Sequence, residues 1–230
     1  MNLSDIKQML RQDIGRADKE PRYTLWVNRA IRALQTSQNW ECMRDRQQVT
    51  ITTGTSVVNL PANYKEVTAE NYPVTVVDPN TYSSPGILQE LSCELVSREK
   101  MTRYRSLSWV VSGPVVSQTR VAGLPVYIER DPSTKRHTLN IVGNADTDTV
   151  FKVSFYGYVP DLVLDADTND FLLNYPELVE NRVKAIAFAA INDPIASQFM
   201  ALADEQARRA GIEDSRMRLT GGGRRIRMGG

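Results

Sequence analysis

The sequence predicts an α+β fold: N-terminal helices and a C-terminal αα-hairpin flank a β-rich middle, and an extended tail closes the chain. Three observations predict it. Apolar residues recur at helical spacing within 1–40 and 175–217, whereas β-branched residues and period-two alternation dominate 45–160. The last thirteen residues, Arg218 to Gly230, hold five of the 13 glycines and four arginines but no acid. Glycine loses the most backbone entropy on ordering, so such a segment needs a partner to hold it. The expected organisation is a single domain over 1–217 and a Gly/Arg tail over 218–230.

Ser4 is a suitable N-cap for a first helix ending near Gly15, with Asp5 in its first turn. Pro21 sits where a second helix begins. In that helix Trp26, Val27, Ala30, Ile31, Ala33 and Leu34 share one face, with Trp26 as a core anchor, and Arg22, Arg29, Arg32 and Gln35 take the solvated side. After Trp40 the period changes. Gln48–Thr52, the turn Thr53-Gly54-Thr55 and Val57–Leu60 read as a hairpin ending at Pro61. Val74–Val77 is a short strand followed by a turn at Asp78-Pro79-Asn80. Leu88 to Arg105 reads as a helix with Leu88, Leu91 and Leu95 on one side, supported by the i,i+4 pairs Glu94/Arg98 and Glu99/Arg103.

Gly113-Pro114 and Gly123-Leu124-Pro125 then interrupt the chain. Three strands follow: Val126–Arg130, Thr138–Val142 and Val150–Val159. In the last, Phe151, Val153, Phe155 and Gly157 oppose Lys152, Ser154, Tyr156 and Tyr158. Asn174-Tyr175-Pro176-Glu177 starts a helix with a Val179, Val183, Ile186 and Ala190 stripe. Asn192-Asp193-Pro194 stops it and starts another, whose stripe is Ile195, Phe199, Leu202, Ala203 and Ala210. Many alanines permit close packing of this pair.

The composition is that of a soluble globular protein, with 41% hydrophobic and 24% charged residues. Net charge is +1, from 28 basic and 27 acidic residues, which disfavours a protein living by nonspecific phosphate contacts. Cys42 and Cys93 match no zinc spacing and read as reduced thiols of a protein made in a cytoplasm. The N-terminal stretch lacks the apolar core of a signal peptide, and no run approaches the length of a membrane span.

Little catalytic chemistry is visible. The single histidine, His137, lies in the polar stretch 131–137 and reads as an exposed turn residue. No GxSxG, Walker A, GxGxxG or HExxH pattern occurs. Asp165, Asp167 and Asn169 imitate the start of a calcium loop, but Asp170 stands where glycine is needed and Pro176 where the bidentate glutamate is needed. The sequence therefore names no catalytic residue, metal ligand or cofactor. The tail has three readings: a solubilising end, an arginine arm for nucleic acid, or a docking peptide with Ile226 and Met228 as apolar anchors among arginines.

The order of motifs carries a resemblance. Tyr23, Trp26, Val27 and Ala30 on an N-terminal helix precede Thr53-Gly54-Thr55-Ser56 and Leu60-Pro61-Ala62-Asn63-Tyr64. Tyr156-Gly157-Tyr158-Val159-Pro160-Asp161-Leu162 leads to Asn169-Asp170-Phe171-Leu172-Leu173-Asn174-Tyr175-Pro176-Glu177-Leu178 and the alanine-rich helices. Over most of its length the chain resembles the head-to-tail adaptor (connector) proteins of tailed bacteriophages. The resemblance implies a structural virion protein without catalysis, placed at the head–tail junction. It implies a ring of typically twelve subunits that docks on the portal protein, extends the DNA channel, closes it after packaging and receives tail, tailspike or nozzle proteins. Genomic DNA would pass through the lumen without specific binding, and no membrane is involved. C-terminal segments of such proteins often reach into the portal, which implies a docking role for Arg218, Leu219, Arg224, Arg225, Ile226, Arg227 and Met228. Residues 86–125 exceed what small adaptors carry and suggest an elaboration facing tail components. The alternative is a nucleic-acid-binding accessory protein that uses the arginine-rich tail.

Overall fold

The computed structural model describes residues 1–69, 72–84, 87–106, 124–145 and 147–225. The chain divides into a helical unit, Met1–Met43 with Tyr158–Gly230, and a β unit, Arg44–Gly157.

In the helical unit, α1 (Leu3–Ile14) is capped by Asn2 instead of Ser4. The Asn2 side chain accepts from the Asp5 N–H at 3.0 Å, and the Asp5 carboxylate accepts from the Asn2 N–H at 2.8 Å. Asp5 stands three residues after Asn2, the spacing this reciprocal pair requires; after Ser4 it would stand one residue away. Gly15 closes the helix at φ 62°, in the left-handed region. A 3-10 turn over Ala17–Arg22 holds Pro21 and leads into α2 (Tyr23–Ser37). This helix buries Trp26, Val27, Ala30, Ile31 and Leu34, while Arg22, Arg29 and Arg32 face outward. Gln35 departs from expectation. It is 3% exposed, and its amide donates to the Val159 carbonyl at 3.0 Å, which satisfies the buried polar group.

α3 (Arg98–Ser106) belongs to the β unit, and α4 (Asp170–Asn174), α5 (Pro176–Ala189) and α6 (Ala196–Arg225) complete the helical one. Pro176 occupies the first turn of α5. The buried set there is Leu178, Val179, Val183, Ala185, Ala187 and Phe188. Ile186 is only half-buried and Ala190 is exposed, because α5 packs against both α2 and α6 and buries a broader, rotated face. On α6, Ala203 is buried and Phe199 and Ala210 are half-buried, but Ile195 and Leu202 face solvent. Asn192, at φ 57°, makes the reversal between α5 and α6, and Asp193 accepts from the Ile195 N–H at 3.0 Å. α6 continues through the three glycines to Arg225, so residues 218–225, expected to be extended, have helical backbone. The core of this unit is aromatic: Trp40 lies 5.8 Å from Phe171 and 5.1 Å from Tyr175, and its indole N–H donates to the Leu34 carbonyl at 2.7 Å.

The β unit holds β1 (Arg44–Ile51), β2 (Val57–Asn59), β3 (Tyr64–Val67), β4 (Val74–Ser84), β5 (Ile87–Leu95), β6 (Leu124–Arg130), β7 (His137–Ile141) and β8 (Thr149–Gly157). Their order is β1-β8-β4-β5-β6-β7-β2, with β3 also on β8. Among the described residues only β5–β6 is parallel. Ile51, Val74, Val76, Val126, Leu139, Ile141, Phe151, Val153 and Phe155 form the core.

Three expectations change in this unit. β1 and β2 do not pair as a hairpin; β1 pairs with β8 and β2 with β7. The turn between them forms, with Gly54 at φ 78°, but its donors are taken by the segment before β8. Gly54 N–H donates to Ala145 O at 2.8 Å and Thr53 N–H to the Asp148 carboxylate at 2.8 Å, which steers the chain across to β7. Asp78-Pro79-Asn80 is not a turn: β4 runs through it with a register break between Asp78 and Tyr82, where proline supplies no N–H for the ladder. The helix expected over Leu88–Arg105 is a strand in its first half. β5 has β4 on one side and β6 on the other, and short apolar runs do not separate the two periods. Glu94 accordingly pairs with Lys100, and Arg98 approaches Glu129 at 3.6 Å. Gly113, Pro114 and Gly123 lie outside the described residues.

Candidate assembly surfaces

The helix that leads into the C-terminal segment singled out by the sequence carries a buried polar node. Asp214, on α6, is 2% exposed. Its carboxylate accepts from the Tyr175 hydroxyl at 2.6 Å and from the Glu41 N–H at 2.9 Å. A carboxylate buried this far needs such donors, and these two come from chain segments far apart in sequence. Burial and the acceptor Asp214 together push the Tyr175 phenol well above its ordinary range. One turn earlier Gly211 lies against Gln38, where an added Cβ would stand 2.8 Å from the side-chain oxygen.

Further toward the N-terminal end of α6, side-chain pairs fasten it to α5. Asn181 donates to Gln206 at 2.9 Å and Arg182 to Asp204 at 2.8 Å. Phe188 and Phe199 stack at 5.5 Å with planes 7° apart, and the Lys184 ammonium lies 5.5 Å from the Phe199 ring centre. After Asp214 the helix continues from Ser215 to Arg225, roughly 16 Å at 1.5 Å per residue. Arg218, Leu219, Arg224 and Arg225 occupy this last stretch of helix, and Ile226, Arg227 and Met228 lie outside the described residues.

The acidic loop before α4 is a scaffold in which each acid has its own task. Asp161 pairs with Arg32, and Asp165 with Lys7 at 2.6 Å. Asp167 accepts from the N–H groups of Val163 and Leu164 at 2.8 and 2.7 Å. Those two amides, Leu164 first, hold its carboxyl below the usual range. Asn169 caps α4 through the Leu172 N–H at 3.1 Å. The Asn28 side chain clamps Leu162 from both sides, donating to its carbonyl and accepting from its N–H, each at 2.9 Å. Each of these oxygens is engaged by its own partner within the fold. Among the described residues no group of three or more His, Cys, Asp or Glu is placed to hold a metal ion.

What the loop does present is apolar. Val163 is 73% and Leu164 66% exposed, and Leu173 on α4 is 60% exposed. The signal for Val163 and Leu164 in the sequence is the apolar run Leu162-Val163-Leu164 inside a polar loop. A rigid loop displaying two large apolar side chains is suited to contact with another protein.

The remaining reactive groups are integrated into the fold. Burial pushes both Cys42 and Cys93 up to about 12, which favours the protonated thiols at neutral pH. His137 is the first residue of β7 and half-buried, where the sequence predicts an exposed turn. Its ring lies 4.8 Å from that of Tyr64, and burial followed by the nearby Arg130 lowers its pKa. Among the described residues no helix is long and apolar enough to cross a membrane.

No curated protein matches the sequence. The family model for the SU10 adaptor protein matches residues 1–227, and the chain belongs to that family of phage structural adaptors.

Proposed function

We propose that this adaptor forms a closed ring at the head–tail junction of the virion, docks on the portal, extends the DNA channel and receives tail, tailspike or nozzle proteins. The observation that carries this reading is the match of the adaptor family across residues 1–227. The ring number is taken as twelve, and DNA passes through without specific contacts, in keeping with a net charge of +1. The role is mechanical, with no catalytic step. Residues 1–217 act as the adaptor domain, and the αα-hairpin of α5 and α6 leads into the docking tail 218–230.

The geometry supports such a tail. Asp214 fixes α6 in the helical unit, and the helix then runs on into a glycine-rich end. Three consecutive glycines cost a helix about 3 kcal/mol relative to alanines, so this end gains order from a partner and exchanges its backbone shape cheaply when it docks. Arg224, Arg225, Ile226, Arg227 and Met228 then supply orienting charges and apolar anchors. Light scattering after size exclusion, with and without portal protein, tests the reading. The expected result is a ring-sized species that binds portal; a chain that stays monomeric and ignores portal refutes it.

A further inference from the structure

The sheet of the β unit leaves one strand pair outside its ladders. β4 pairs with β8 only through Val74–Val76, and β5 pairs with β6 only through Cys93–Leu95. Among the described residues, the rest of the two strands, Val77–Ser84 and Ile87–Ser92, is laddered only to itself, with breaks after Asp78 and Tyr82. A two-stranded ribbon is marginal in water and becomes stable when a third strand or a packed face is added. Among the described residues the same sheet ends in β1, an eight-residue strand laddered to β8 on one side only. Such an edge is a template for another strand.

We propose that the β4–β5 arm of one subunit adds to the free edge of β1 in a neighbouring copy of this chain. The pairing is intermolecular because β8 lies between β1 and β4 in the sheet and already uses both of its sides. The other sheet end, β2, has three residues and offers too short an edge. Charge favours the match: residues 77–92 contain Asp78 and Glu90 with no lysine or arginine, whereas β1 carries Arg44 and Arg46 against Asp45. Backbone hydrogen bonds supply the affinity of strand addition and side chains its register. Arm and edge are different patches, so the contact is heterologous, the kind that propagates around a ring.

This inference rests on the ring reading above and is tested separately from it. Residues 78–89 are replaced by Asn-Gly, a two-residue turn that joins Val77 to its native partner Glu90 and so keeps the register and the pairings to β8 and β6. Circular dichroism and urea unfolding check that the fold is retained, and light scattering and electron microscopy read assembly. Wild-type chain is expected to form rings, the shortened chain to stay monomeric, and mixtures of the two to give open arcs.

As a second arm, Arg44→Glu with Arg46→Glu in full-length chain is expected to weaken assembly at least tenfold. Adding Asp78→Arg and Glu90→Arg to that variant is expected to restore it. Rings of unchanged mass from the shortened chain overturn the proposal and leave the ring reading standing, as does a shortened chain that loses only its tail-protein partner. A wild-type chain that never assembles, with or without portal, overturns the ring itself and the arm's role with it.

Discussion

Replacing Asp214 with alanine is the sharpest test of how the C-terminal helix is held. The carboxylate is 2% exposed and takes two donors, the Tyr175 hydroxyl at 2.6 Å and the Glu41 N–H at 2.9 Å. Removing it leaves both donors buried without this acceptor. Each such loss costs about 1–3 kcal/mol, so Asp214→Ala is expected to destabilise the protein by about 3 kcal/mol. For a chain of this size that corresponds to a fall in Tm of roughly 6–12 °C. Tyr175→Phe removes one donor and keeps the other, with an expected cost of about 1.5 kcal/mol. The double mutant is expected to cost about 1–2 kcal/mol less than the sum of the two, because the hydroxyl–carboxylate bond is lost once. Urea unfolding followed by tryptophan fluorescence suits the measurement, since Trp40 packs 5.1 Å from Tyr175. A loss under about 0.5 kcal/mol for Asp214→Ala, the range of an ordinary surface substitution, refutes the node as an anchor.

Asn28→Ala removes both hydrogen bonds to Leu162 and is expected to cost about 2 kcal/mol. Hydrogen exchange should then rise at Val163 and Leu164 before it rises in α1; unchanged exchange there contradicts the clamp. Burial raises Cys42 and Cys93 from 9.0 to about 12. A raised folded value contributes stability that is complete below the unfolded value and lost as pH climbs through the folded one. Stability is therefore expected to fall between about pH 9 and pH 12, with a shallower slope in a chain lacking both thiols. The native thiols should also react with a disulfide reagent at pH 8 far more slowly than those of urea-unfolded chain; equal rates count against their burial. Deleting residues 219–230 is expected to change unfolding free energy by under about 0.5 kcal/mol, because the buried Asp214 node lies before the deleted segment and stays intact. The same deletion should weaken portal binding at least tenfold, and unchanged binding removes the docking role from the tail.

The helical faces were legible in the sequence because their apolar stripes are local and repeat every turn. Trp26, Val27, Ala30 and Ile31 are buried as their spacing predicts. Strands Leu124–Arg130, His137–Ile141 and Thr149–Gly157 were legible for the matching reason, period two between turn residues. Family membership was legible through motif order along the chain. The sequence alone determined these because each signal lies within one element and its flanks.

Partner choice was decided only by tertiary structure. Whether Val57–Asn59 pairs back on β1 or crosses to β7 depends on carbonyl and carboxylate acceptors at Ala145 and Asp148, some ninety residues away. Leu88, Leu91 and Leu95 fit a helix by spacing, yet the pairing of Thr75–Asp78 and Leu124–Val126 with this segment makes it a strand. Asp214 reads as one more acid on a solvated helix until Tyr175 and Glu41 enclose it. A ladder bond or a buried polar contact is a property of two distant segments meeting, and one-dimensional periodicity carries no information about which two will meet.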